Sequence, residues 1–211
     1  MPLVSCCRSI LVSLVVVGSA AVTASAEPGD AVGMVVDLLQ RDDPQFRAIG
    51  LDRVRHGATG SPATLRFAAL LPALPPARQS ELAAALGDRG DKAAVPGVTA
   101  VLVATQDPAV RAAALHALGS IGGGVEVPLL VKSLEAADPE RSAARRALTV
   151  LRGTDAAKAI IDAVGIAPPG VRPTLVEILV GRRERSAVPA FLKLVGDADA
   201  GVRMAAAGGL A

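Results

Sequence analysis

Three observations predict an all-α fold, an α-solenoid of stacked antiparallel helix pairs. The 211 residues are 51% hydrophobic, but with three Phe and no Trp or Tyr this apolar content is mostly aliphatic and lies in short, punctuated segments. No stretch alternates apolar and polar residues long enough to build a sheet. A five-residue segment related to Asp-Pro-x-x-Arg also returns at nearly constant intervals, as expected of an array of similar units.

Met1 to Arg8 carries one positive charge, Ser9 to Val22 is largely apolar, and Ala24-Ser25-Ala26 precedes Glu27. This order predicts a secretory signal over residues 1–26, cleaved before Glu27, and hence an exported chain, periplasmic or extracellular. The competing expectation is an uncleaved anchor, because residues 9–26 could just span a bilayer as a helix. Cys6 and Cys7 precede the apolar run, so a lipid-modified cysteine is not expected, and both leave with the leader. The mature chain is then expected to hold no disulfide and no thiolate site. Loss of Arg8 lowers the net charge from +2 to +1, which provides no field for nucleic acid or anionic lipid.

Residues 27–40 form a leading half-unit. The array proper is placed at 41–196, about five helix pairs. Asp43-Pro44-Gln45-Phe46-Arg47 returns as Asp107-Pro108-Ala109-Val110-Arg111 and as Asp199-Ala200-Gly201-Val202-Arg203. Between them lie Pro75 to Gln79, Asp138 to Ser142 and Pro168 to Arg172, so the fifth positions are 47, 79, 111, 142, 172 and 203. Asp before Pro predicts a helix start: the carboxylate accepts from first-turn amides, and Pro lacks the donor that would be orphaned there. The Arg four residues on can pair with that Asp along one face. Seven residues past each fifth position stand Val54, Leu86, Leu118, Thr149, Leu179 and Leu210, a predicted core column, with a shift of one residue to Val150 expected in the fourth unit.

The second half of each unit opens at Ala94-Val95-Pro96, Glu126-Val127-Pro128, Ala157-Lys158 and Ala187-Val188-Pro189, each followed by an apolar run. Neither helix of a pair could bury its apolar face alone, so the units must share one continuous core. Residues 197–211 predict the first helix of an incomplete sixth unit, with Met204, Leu210 and Ala205 to Ala207 left without cover. This motivates the expectation that the chain is a piece of a longer repeat protein, the alternative being that the exposed end is an assembly surface.

Residues 107–122, with Val127-Pro128-Leu129-Leu130 after them, resemble a HEAT repeat of the short type known from phycocyanobilin lyases, and the resemblance covers most of the chain past the leader. It implies Asp and Arg ladders between adjacent units, matched by Asp43 with Arg47, Asp107 with Arg111 and Asp199 with Arg203. Gln79 and Ser142 replace Arg, and Pro75 and Pro168 replace Asp, so the ladder is expected to break in the middle. The resemblance also implies a role in holding partners, since the fold is specific while its functions vary.

His56 and His116 are the general-base candidates near neutral pH, and they fall about two units apart. HEAT-type arrays include a di-iron hydroxylase with His-Glu ligand pairs. Here Gly57 follows His56 and Ala117 follows His116, so no metal site is expected. Without Trp, Tyr or a mature Cys nothing is placed to cradle a tetrapyrrole, and no phosphate loop or Gly-x-Ser-x-Gly elbow occurs. The expectation is therefore a chain with no cofactor and no catalysis of its own.

The basic groups Arg53 with Arg55, Arg141 with Arg145 and Arg146, and Arg182-Arg183-Glu184-Arg185 read as solvated helix ends or as an anion site. Four residues past the Val-Pro position, Ala100, Lys132, Asp162 and Lys193 form a column on the second helices, which line the concave side in HEAT arrays. Lys132, Asp162, Lys193, Arg182 and Arg183 are the candidate contacts to a protein or peptide partner. Alternatives left open are a lyase-like or regulatory protein that binds a chromophore or metabolite between units, and binding of a DNA backbone.

Overall fold

The structure, a computed structural model, describes residues 30–57 and 59–211. The expected leader, with Cys6 and Cys7, lies outside the described residues. Among these, every regular element is helical. A single helix, α1 (Ala31–Gln40), comes first. Five pairs follow: α2 (Pro44–His56) with α3 (Ser61–Ala68), α4 (Pro76–Arg89) with α5 (Val95–Ala104), α6 (Pro108–Ile121) with α7 (Val127–Ser133), α8 (Glu140–Val150) with α9 (Thr154–Ile166), and α10 (Arg172–Gly181) with α11 (Val188–Leu194). The last element is α12 (Ala200–Gly208). First helices α2, α4, α6, α8, α10 and α12 stack in one row. Second helices form the other row, partly through short 3-10 turns: α9 rests on Gly124–Glu126 and Arg185–Ala187. One continuous core runs from Val35 to Ala206, as expected of units that cannot bury their faces singly.

The helix starts follow the capping chemistry. Asp43 accepts from the Gln45 amide at 2.8 Å, Asp107 from Ala109 and Val110 at 2.9 and 3.1 Å, and Asp199 from Val202 at 3.1 Å. Pro44 and Pro108 are the first helical residues. Because each Asp carboxylate is committed to its own helix, the expected Asp–Arg pairs of the first turn give way to a different arrangement. Arg47 donates to the carbonyls of Arg41 and Asp42, at 3.5 and 2.6 Å. Arg203 does so to Asp197 and Ala198, at 2.8 and 2.9 Å. Arg111 donates to Leu102 and Thr105, at 2.8 and 3.2 Å, and holds Glu140 of the next unit in a two-point contact at 2.7 and 2.6 Å. Each arginine thus satisfies carbonyls left open at the end of the preceding second helix or in its connector, since the last carbonyls of a helix have no partner within it.

The ladder expected to break in the middle continues by this route. Gln79 donates to Leu71 O at 3.0 Å, Arg141 to Ala136 O at 2.9 Å, and Arg172 to Val164 O at 3.2 Å while pairing with Asp197. Arg141 rather than Ser142 therefore holds the fifth position of the fourth unit. Seven residues further stands Leu148, fully buried, while Val150, the expected core residue, is 55% exposed. The shift runs one residue toward the N-terminus, opposite to the expected direction. It makes the column Val54, Leu86, Leu118, Leu148 and Leu179, all with no exposed surface, and each contributes about 1.5 to 3 kcal/mol by burial. Thr149 avoids the core and donates its hydroxyl to Arg145 O at 2.8 Å.

Two kinds of junction join the first helices. From α4 to α8 the contact is close: a Cβ built on Gly87 would lie 2.7 Å from Ala117 Cα, and one on Gly119 would lie 2.6 Å from Ala147 Cα. Only glycine allows this approach. Arginines clasp the two flanking junctions. Arg89 Nη1 donates to Val54 O at 2.7 Å, and Arg182 Nη1 lies 2.8, 3.0 and 2.6 Å from the carbonyls of Leu148, Thr149 and Leu151. Arg89 and Arg182 occupy equivalent places, ten residues past the fifth position of their units. Buried Ile121 and Leu151 occupy the same place where the junction is close. In α12, Val202 and Ala206 are fully buried and Ala205 partly so. Of the residues expected to lack cover there, Met204 is 75% exposed and Leu210 40%.

Candidate functional site

The second helices carry their polar column on the surface. Lys132 on α7, Asp162 on α9 and Lys193 on α11 are all exposed. Lys132 and Asp162 face one groove of about 410 Å³ between α7 and α9, with Val127, Val131, Ala163 and Ile166 in its walls. Asp162 accepts from Lys158 Nζ at 2.6 Å, one turn earlier on α9, so its charge is partly met within its own helix. Lys132 also borders a second groove, of about 680 Å³, toward Leu102, Val103 and Leu129. Lys193 stands beside Leu192, which is 61% exposed.

Glu135, just past α7, is a contributor that the sequence did not single out. It lines both grooves and also a third, of about 640 Å³, between α8 and the connector before α10. The repeat column ended before it, since it lies in the turn after the helix. Val103 and Ile166 are 64% and 88% exposed at the edges of the two grooves. The two grooves thus combine apolar walls with charges of both signs, Lys132 against Glu135 and Asp162.

Arg182 has a different role from the one expected. Its guanidinium is directed onto three carbonyls at the end of α8, those of Leu148, Thr149 and the capping residue Leu151, and burial pulls its pKa below the ordinary arginine value. Arg183 is exposed, with φ of 53°. Its amide donates to Val180 O at 2.9 Å and the Glu184 amide to Leu179 O at 3.1 Å, the paired bonds of a left-handed helix cap. His56 lies at the end of α2 and His116 within α6, on separate units. Among the described residues no group of three or more His, Cys, Asp or Glu side chains is arranged to hold a metal ion. No helix of the described residues is long and apolar enough to cross a membrane.

Several carboxylates are held below their ordinary range by contacts that tie units together. The Arg111 guanidinium does this to Glu140, and the Gly124 amide, at 2.9 Å, does it to Asp155. Asp91 is lowered by the Ala93 amide and then by the Thr64 hydroxyl; Thr64 donates to Asp91 at 2.7 Å and accepts from Arg89 Nε at 2.6 Å. The bonds of Glu140 to Arg111, Asp155 to the Gly124 amide and Asp91 to Thr64 each join neighbouring units.

Residues 63–149, the segment from α3 to α8, match the family model for HEAT repeats. Among solved structures, the complex of CpcE and CpcF of phycocyanin lyase from Nostoc sp. PCC7120 is similar at 22% identity. The match covers 89% of this chain and 78% of that one, with a TM-score of 0.50. Human deoxyhypusine hydroxylase in complex with glycerol is similar at 20% identity, over 85% of this chain and 94% of that one, with a TM-score of 0.43. No curated protein sequence matches the chain.

Proposed function

We propose that this chain, a HEAT-type repeat protein, is a non-catalytic scaffold that binds another protein or an extended peptide along its second-helix face. The observation that carries this reading is the pair of neighbouring grooves sharing Lys132 and Glu135, edged by exposed Val103 and Ile166. Grooves lined by aliphatic walls and opposed charges suit main-chain and side-chain contacts of an extended segment better than a reaction. In this reading residues 1–26 direct export, so the partner is met outside the cytoplasm. Mass spectrometry of the N-terminus of the product tests that part.

Selection of a displayed random dodecapeptide library against the purified protein tests the binding. Selected peptides are expected to lose about tenfold in affinity when Lys132→Glu and Ile166→Asp are combined. Affinity unchanged by these substitutions, or turnover of a substrate by the purified chain, would overturn the proposal.

A further inference from the structure

On the row of first helices, away from these grooves, α6 and α8 leave a notch of about 270 Å³ lined by His116, Arg145, Arg146, Ala147, Thr149 and Val150. Its charged lining is entirely basic. Arg145 is paired with Glu177 of α10 at 2.9 Å, while Arg146 is exposed and has no carboxylate within ion-pair distance among the described residues, its charge acting on Asp138 from further away. His116 is exposed one turn before Ser120 on α6. The apolar part comes from the backward register of the fourth unit, which buries Leu148 and leaves Val150 outside at 55% exposure. The Thr149 hydroxyl is already bonded to the Arg145 carbonyl, so it does not add a free donor.

We infer that this notch is a docking site for an acidic segment of a partner protein, with one bulky apolar side chain seated against Val150 and neighbouring carboxylates on Arg146 and His116. Size favours a protein segment over a metabolite. Small-molecule sites usually enclose about 300 to 1,000 Å³ and bury most of their ligand, whereas this notch of about 270 Å³ is about half open to solvent, which suits one side chain of a larger ligand. Charge sets the sign of the partner: Arg pairs with carboxylates through paired donors, and a notch with no acid in its lining repels a basic segment. The site is separate from the second-helix grooves and stands or falls independently of them.

Fluorescence polarisation with a labelled nonapeptide of one central leucine flanked by glutamates tests the inference. The acidic peptide is expected to bind, its lysine counterpart not to bind, and its counterpart with central alanine to bind about tenfold more weakly. In the protein, Arg146→Glu and Val150→Asp are each expected to weaken binding about tenfold while the circular dichroism melt stays in place, since both side chains are exposed. Absence of binding, equal binding of acidic and basic peptides, or affinity unaffected by either substitution would overturn it. So would displacement of the peptide by an equal concentration of 4-phenylbutyrate, which would assign the notch to small carboxylates. Substitution of Lys132 is expected to leave this binding unchanged, which separates its failure from that of the second-helix reading.

Discussion

Replacing Gly119 by alanine would put a methyl group 2.6 Å from Ala147 Cα and 3.0 Å from its Cβ. Carbon atoms pack best at about 3.5 to 4.0 Å, so α6 and α8 must move apart by about 1 Å. Overpacking of this kind costs about 1 to 3 kcal/mol. Alanine also gains about 0.8 to 1 kcal/mol over glycine within a helix, which hides part of the cost. Gly165, in the last turn of α9, isolates the two effects, because a Cβ there meets nothing within 4 Å. Gly165→Ala should therefore be stabilising or neutral, and Gly119→Ala less stable than it by about 1 to 3 kcal/mol. Urea melts of both variants give the difference from the midpoints at a common slope. Equal stabilisation by the two substitutions would refute the claim that glycine sets the spacing of the central units.

Arg182→Met removes the donor to three carbonyls at the end of α8 and should cost about 1 to 3 kcal/mol, with faster amide exchange concentrated in the second half of α8 and α10. Protection unchanged there would show that the clasp carries no weight. Arg183→Gly should stabilise by up to about 1 kcal/mol, because glycine adopts the left-handed conformation without the Cβ penalty; a loss in thermal melts would contradict this. Acid should weaken the stack. Glu140 and Asp155 titrate lower in the folded chain than their ordinary values of 4.5 and 3.8, so the stability they provide is complete above those values and is lost as pH falls through and below them. Melting temperatures should be level from pH 7 to about 5 and fall below that, less steeply for Glu140→Gln; a flat profile to pH 3 would contradict the assignment.

The period and the helix starts were legible because Asp and Pro act on their own first turn, where a short sequence window holds all the chemistry. The same is true of Lys132 and Asp162, whose spacing placed them on successive second helices. What Arg47, Arg111 and Arg203 contact was not legible. Their acceptors are backbone carbonyls, which leave no trace in side-chain identity, and the nearby Asp residues offered a plausible but incorrect partner. For the same reason Gln79, and Pro168 ahead of Arg172, looked like breaks in a ladder that Gln79 and Arg172 continue. In the fourth unit a constant spacing points to Ser142 in place of Arg, whereas a register one residue earlier places Arg141 on a carbonyl and Leu148 in the core. Arg182 read as solvent-facing because a charge after a helix end usually is. Its partner is a helix of the preceding unit, 31 to 34 residues away. Glu135 escaped because three grooves meet at it only after the units stack.

A pair of alanine substitutions in α8 tests the shared core column most directly. Leu148→Ala should cost about 2 to 5 kcal/mol and Val150→Ala under about 0.5 kcal/mol in urea melts. A large loss at Val150 with little change at Leu148 would contradict the register on which the stack, the clasps and the basic notch all depend.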